Sequence, residues 1–492
     1  MPSSSRSIDT AFSINPASPL VESPKTSTAT AEVERKCRLD PLMDGRNDRG
    51  ALHVLQATSS VLEVFRAKPK QIWIDHGGPD KAIVRPAATP PRKSQSPRLV
   101  MNPPSDQIYY LSHYFDTFVK RNNCNPKTDI FNDVISLMKD QSSGTFLHDA
   151  VLSLGAMQAF KFNASDGMNP TKTYKLAVHH YSKSVLGLRQ TLDKFDQEPS
   201  ARHCILWTTH LLGLFELMTD STGEGWVQHL VHGTSKALIA AGPTACQSGF
   251  GQRFFTQIRI FEVCRSIIFN EATFLANADW KYLTDDMLSK SEGGDLSLDE
   301  LLDIVVSCST LRVRAINLIY KRDPEYLEHL DDAYDIAQEG FRLRQALIDW
   351  EANLAKNSSS KHQVDNNNKS SVDFSSLTKA FFAATSIYLS GVFDYEIPYW
   401  QNRGIVAPNL SEEEIQMHVV NILAHTNTVL YNSSISPLLV LFPLRAAGAR
   451  SWQSWQQDCI MQNLMTIETT FPVAAAFRAD LYGVWARMTP PI

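Results

Sequence analysis

The chain has 492 residues, 43% of them hydrophobic and 20% charged, which is ample for a packed core and excludes a chain dominated by disorder. Its 47 Lys+Arg against 52 Asp+Glu give a net charge of −5, so the protein is not basic throughout and any contact with nucleic acid must come from a local patch. No stretch reaches 18 uninterrupted apolar residues and the first residues hold no apolar signal core, so neither a membrane span nor secretion is expected.

Residues 1–105 hold 13 of the 25 prolines and carry 15 Lys+Arg against 10 Asp+Glu. Such a Pro/Ser-rich, weakly basic leader buries too little apolar surface to offset its chain entropy, and it is expected to be mostly disordered. Two islands stand out within it, an amphipathic run from Ala51 to Phe65 and the short segment Gln71–Ile74. From Ala87 to Pro104 the composition is that of a linker.

Beyond Ser105 the spacing turns helical. Ser105 is placed to cap a helix over Asp106–Lys120, and Asn169 followed by Pro170 reads as a cap with proline at the first helical position. The helix opened there carries Tyr174, Val178, Tyr181, Val185, Leu188, Leu192 and Phe195 in alternating steps of four and three, a single apolar stripe. Pro199 opens the next helix. Ile205–Met218 is apolar nearly all round and belongs at the centre.

Trp226–Ala241 stops at Gly242–Pro243. Further helical windows run over Arg253–Leu275, Leu298–Tyr320, Glu325–Leu354, Phe374–Tyr399, Glu412–Tyr431, Pro437–Ala449 and Cys459 to about Met488, with a break near Pro472. Between them, residues 355–371 read as a polar, low-complexity loop. Alternating strand patterns are nearly absent and no strict repeat emerges. The expected fold is all-α, a layered antiparallel helical array over 106–489 with a largely disordered N-terminal region.

The seven cysteines (Cys37, Cys124, Cys204, Cys246, Cys264, Cys308 and Cys459) are odd in number and form no C-x-x-C clip, which reads as reduced thiols in a cytosolic or nuclear protein. The glycines at 223–225 and 249–251 lack the third glycine and preceding strand of a phosphate loop. His229 and His232 share a helix face but find no third ligand, and His179 and His180 point apart. No catalytic, cofactor-binding or metal-binding residue is assigned, and no cofactor is expected.

One acidic cluster, Asp331, Asp332 and Asp335, spells the DDxxD by which class I terpene synthases hold magnesium against a diphosphate. Residues 132–136 resemble the start of the second metal motif of those enzymes. Their order is reversed and Asp140 stands where that motif ends in Glu. The competing explanation is a solvated helix start, with acidic side chains at the positive end of the dipole.

Four stretches taken together resemble the regulatory domain of fungal-specific transcription factors, the proteins usually headed by a zinc binuclear cluster. Leu176–Leu192 is similar to that family's HY-x-x-A-x-x-x-L helix. Leu211–Gly242 holds LLxxFE, a polar loop and W-x-x-HL-x-G. Arg253–Trp280 places Arg259, Ile267 and Trp280 as the family's third segment does, and Ser436–Arg450 matches its PL-x-x-AG helix. At these positions Tyr181, Leu212, Phe215, Trp226 and Leu230 read equally well as core, and His229 as a polar group at a helix junction.

The departure lies in the head. Six cysteines are needed for two zinc ions, and residues 1–105 contain only Cys37, with Leu52, Leu55 and Leu62 standing at cluster-like spacing. Leucine cannot ligate zinc, so sequence-specific DNA binding by that route is not expected.

The resemblance implies a nuclear transcriptional regulator, not an enzyme, controlling a metabolic or secondary-metabolite gene set. Its partners would be other transcription factors or coregulators; direct DNA contact and self-association stay open, and no membrane is involved. Arg35, Lys36, Arg38, Arg92 and Lys93 are the basic residues placed to meet an import receptor. The alternatives are the class I terpene or prenyl-diphosphate enzyme and a non-catalytic helical interaction protein.

Overall fold

A computed structural model describes residues 104–125, 128–139, 145–162, 169–192, 199–222, 233–290, 297–320, 329–361 and 369–488. These residues are all-α, with sixteen α-helices. In chain order they are α1 Pro104–Arg121, α2 Ile130–Lys139, α3 Phe146–Lys161, α4 Pro170–Thr191, α5 Pro199–Thr219, α6 Lys236–Ala241, α7 Gly249–Phe269 and α8 Ala278–Ser289. There follow α9 Ser297–Tyr320, α10 His329–Lys361, α11 Lys369–Asp394, α12 Ile397–Gln401, α13 Glu412–Asn432, α14 Leu441–Gly448, α15 Ser454–Glu468 and α16 Ala474–Met488.

The stripe read on α4 is a packing stripe. Val185, Leu188 and Leu192 are buried, and Tyr174, Val178 and Tyr181 are half-buried against the core. α4 lies on α3, and α3 also meets α1 and α5. Gly155 lets α1 and α3 approach, because a Cβ there would run into the Leu111 carbonyl oxygen. α5 occupies the centre as its all-round apolarity requires, with Ile205, Trp207, Leu211, Leu212 and Phe215 all buried.

In the second half α11 is the hub, packing on α9, α13 and α14. α7 spans the two groups by touching α5, α9 and α14. The end of α1 is pinned to the segment before α14: Asn123 N–H donates to the Ser434 carbonyl at 3.0 Å, and Ser436 N–H to the Asn123 carbonyl at 2.8 Å. That isolated bridge is the only β pairing among the described residues.

Several boundaries differ from the expected ones for identifiable reasons. α1 begins at Pro104, so Ser105 lies inside the helix and does not cap it. Asn169 does cap α4, its side chain accepting from Thr171 N–H at 2.9 Å. The window Arg253–Leu275 is two elements, because Asn270 adopts the left-handed conformation at φ 51° and ends α7. The window ending at Tyr399 also splits after Asp394, and Pro398 opens the short α12.

The polar loop expected at 355–371 is narrower than its composition suggests. α10 continues through Lys361 and α11 already begins at Lys369. Residues 355–361 contain neither glycine nor proline, so nothing in them breaks the helix.

Candidate functional site

A cleft of about 420 Å³ opens where the end of α7, α9, α11, α14 and α16 converge. The volume lies within the roughly 300–1,000 Å³ of ordinary small-molecule pockets. Its walls are mainly apolar: Ile267, Ile387, Phe442, Ala446, Ala449, Leu481 and Val484, with the rings of Tyr388 and Tyr395. The polar groups facing it are Asn270, Arg312, Arg445 and Asp480.

Local sequence explains how each wall is placed. α7 closes with two bonds, Glu271 N–H to the Ser266 carbonyl at 3.0 Å and Asn270 N–H to the Ile267 carbonyl at 3.3 Å. This paired closure around a left-handed residue frees the Asn270 side chain to turn toward the cleft. There its Oδ1 accepts a long bond, 3.4 Å, from the Tyr388 hydroxyl.

On α14, Gly448 lets α16 come close, since a Cβ there would strike the Leu481 side chain. The Trp485 indole N–H then donates to the Gly448 carbonyl at 2.8 Å. The small side chains of Ala446 and Ala449 line the cleft and leave its interior unfilled.

The electrostatics separate three arginines. Arg445 Nε meets Asp480 Oδ2 at 3.0 Å near the surface, and Arg450 is ion-paired with Asp394 beneath the floor. Arg312 has no carboxylate partner among the described residues. Its Nη1 donates to the Gly391 carbonyl at 2.9 Å, covering an orphan acceptor at the end of α11. Its guanidinium lies 5.6 Å from the centre of the Tyr395 ring, and that of Arg450 4.9 Å from it. With the other two pairs balanced, one positive charge in the cleft is uncompensated. Burial, the largest influence on it, pushes the Tyr388 phenol well up, so it stays a neutral donor at physiological pH.

The residues singled out in the sequence fall elsewhere. Arg35, Lys36, Arg38, Arg92 and Lys93 lie outside the described residues, as do Cys37, Leu52, Leu55, Leu62, Trp226, His229, Leu230, His232 and Asp140. Asp331, Asp332 and Asp335 are exposed on the first turns of α10. Asp133 of the second motif is engaged by Arg253, whose Nε lies 2.7 and 2.9 Å from its two oxygens. Among the described residues no group of three His, Cys, Asp or Glu side chains is arranged to hold a metal.

His180 is held to Asp149 at 2.7 Å, and Tyr181 stacks on Phe215 while donating to Glu216. Arg259 binds Asp303 of α9. These polar groups of the motif stretches tie helix to helix. None of the six described cysteines is joined in a disulfide, and burial pushes the Cys124, Cys246 and Cys308 thiols up to about 12, far from a nucleophilic range. Arg312 and Tyr388 were not foreseen from the sequence; each sits inside an amphipathic helix with nothing local to mark it.

Over 145 residues the chain is 25% identical to an uncharacterized protein of Emericella nidulans, a stretch that covers 30% of this chain and 30% of that protein. The chain thus matches less than a third of that relative's length. No family model matches the chain. No solved structure matches it. Among the described residues no helix is long and apolar enough to cross a membrane.

Proposed function

We propose that the protein is a transcriptional regulator of fungal type, acting in the nucleus on a metabolic or secondary-metabolite gene set. The helical domain is its sensing and docking part, and a DNA-binding partner supplies sequence reading where a zinc cluster is missing. One observation carries this reading: the third and fourth stretches of the family resemblance, Arg253–Trp280 and Ser436–Arg450, both contribute walls to the same cleft. Ile267 and Asn270 come from the first of these, and Phe442, Arg445, Ala446 and Ala449 from the second.

The test is chromatin mapping of the tagged full-length protein combined with transcript profiling of a deletion strain. The reading expects nuclear signal, discrete promoter occupancy and a coherent set of altered transcripts. A protein that stays outside the nucleus, with unchanged transcripts on deletion, would end it.

A further inference from the structure

The geometry points to the chemical class of the molecule this cleft receives: a small amphipathic carboxylic acid, its flat apolar body against Phe442 and Leu481 and its carboxylate on Arg312. This rests on the reading of the cleft as an effector site and deepens it.

Three features of the site lead there. Only one of the guanidinium nitrogens of Arg312 is used by protein acceptors, so Nε and Nη2 have no protein partner among the described residues. Those two N–H groups point along one edge of the guanidinium plane, the edge that a carboxylate grips with both oxygens. The charge of Arg312 is also the one left uncompensated, since Arg445 and Arg450 already have Asp480 and Asp394.

Size and polarity restrict the body of the ligand. A fully polar anion such as free phosphate would leave the Phe442, Ala446 and Leu481 walls unsatisfied, and a neutral hydrocarbon would leave the Arg312 charge without a counter-charge. The Tyr388 hydroxyl, whose bond to Asn270 is long at 3.4 Å, offers a second polar anchor for a ring hydroxyl or carbonyl. An aromatic or medium-chain acid meets all of these demands at once.

The experiment is calorimetric titration of the purified full-length chain with 2-naphthoate, decanoate and the uncharged 2-naphthamide. The acid should bind at least tenfold more tightly than the amide. Arg312→Gln should erase that preference by weakening the acid far more than the amide, and Arg312→Lys should restore part of it. Ala446→Phe, which fills the cleft without touching the charge, should weaken acid and amide alike by tenfold or more. Arg312 also caps α11, so each variant is compared with wild type by circular dichroism before titration.

Equal affinity for acid and amide on the unaltered protein would overturn the proposal, as would acid binding indifferent to Ala446→Phe. A cleft that instead takes a segment of a partner protein would ignore both small probes, and that result overturns it too. None of these outcomes depends on transcript levels, so a failed ligand class and a failed regulatory role are separately visible.

Discussion

His210 provides a quantitative test of the core. It sits on α5 among Trp207, Phe254 and Phe261, fully buried, with neither ring nitrogen hydrogen-bonded. Burial lowers its pKa from 6.5 to about 3, so the folded protein holds it neutral. Above pH 6.5 the imidazole is neutral in both folded and unfolded chains, and its contribution to stability is complete.

Between pH 6.5 and about 3 the unfolded chain takes up a proton that the fold refuses, so stability falls as the pH falls. The loss is about 1.4 kcal/mol per pH unit, which makes about 2 kcal/mol at pH 5. His210→Leu removes the proton and both unpaired nitrogens at the expense of some ring packing. At pH 7.5 the variant should lie within about 1 kcal/mol of wild type. At pH 5 it should be more stable by about 2 kcal/mol relative to that baseline.

Urea unfolding followed by Trp fluorescence at the two pH values reads the difference directly. His148, His203, His418 and His425, also lowered by burial, are present in both proteins and cancel. A variant-to-wild-type gap that stays the same at both pH values would refute the reasoning.

Two further perturbations follow from the packing. Glu262, buried on α7, binds Arg265 at 2.7 and 3.0 Å and also accepts from Ser235 and Thr273. Glu262→Gln strands a buried guanidinium, and thermal unfolding should show a loss of about 3–5 kcal/mol, moderated by the remaining Arg265–Glu271 pair. Gly155→Ala forces a methyl against the Leu111 carbonyl at the α1–α3 crossing. It should cost about 1–3 kcal/mol in urea unfolding, and an unchanged midpoint would mean that the two helices separate freely.

The fold was largely legible in the sequence because most helices announce themselves through spacing. The alternating stripe of α4, with Asn169–Pro170 in front of it, needs no tertiary information. The window read from Glu412 is α13, and the structure adds a capping box of Ser411 and Glu414 at its start. Where reading failed, the deciding force was not local. Asn270 stops α7 through a left-handed turn that its neighbours do not signal, and the polar run after Leu354 stays helical because it holds no glycine or proline to break the helix. The cleft was illegible for a similar reason. Its five contributing elements are spread from residue 267 to residue 484, and sequence spacing says nothing about which helix ends meet.

Several polar side chains of the resembling stretches are already spent within the fold. His180 is committed to Asp149, Tyr181 to Glu216, Arg259 to Asp303 and Arg450 to Asp394. A hydrogen-bond donor used to hold one helix on another cannot also grip a ligand without breaking that tie. The motif spacing therefore describes how the helices are fastened. The one cleft-lining charge left unpaired by a carboxylate belongs to Arg312, on α9, outside all four stretches. A change at Arg312 alters the charge the cleft presents and gives up its tie to the end of α11, whereas a change at Glu262 loosens its buried network with Ser235, Arg265 and Thr273.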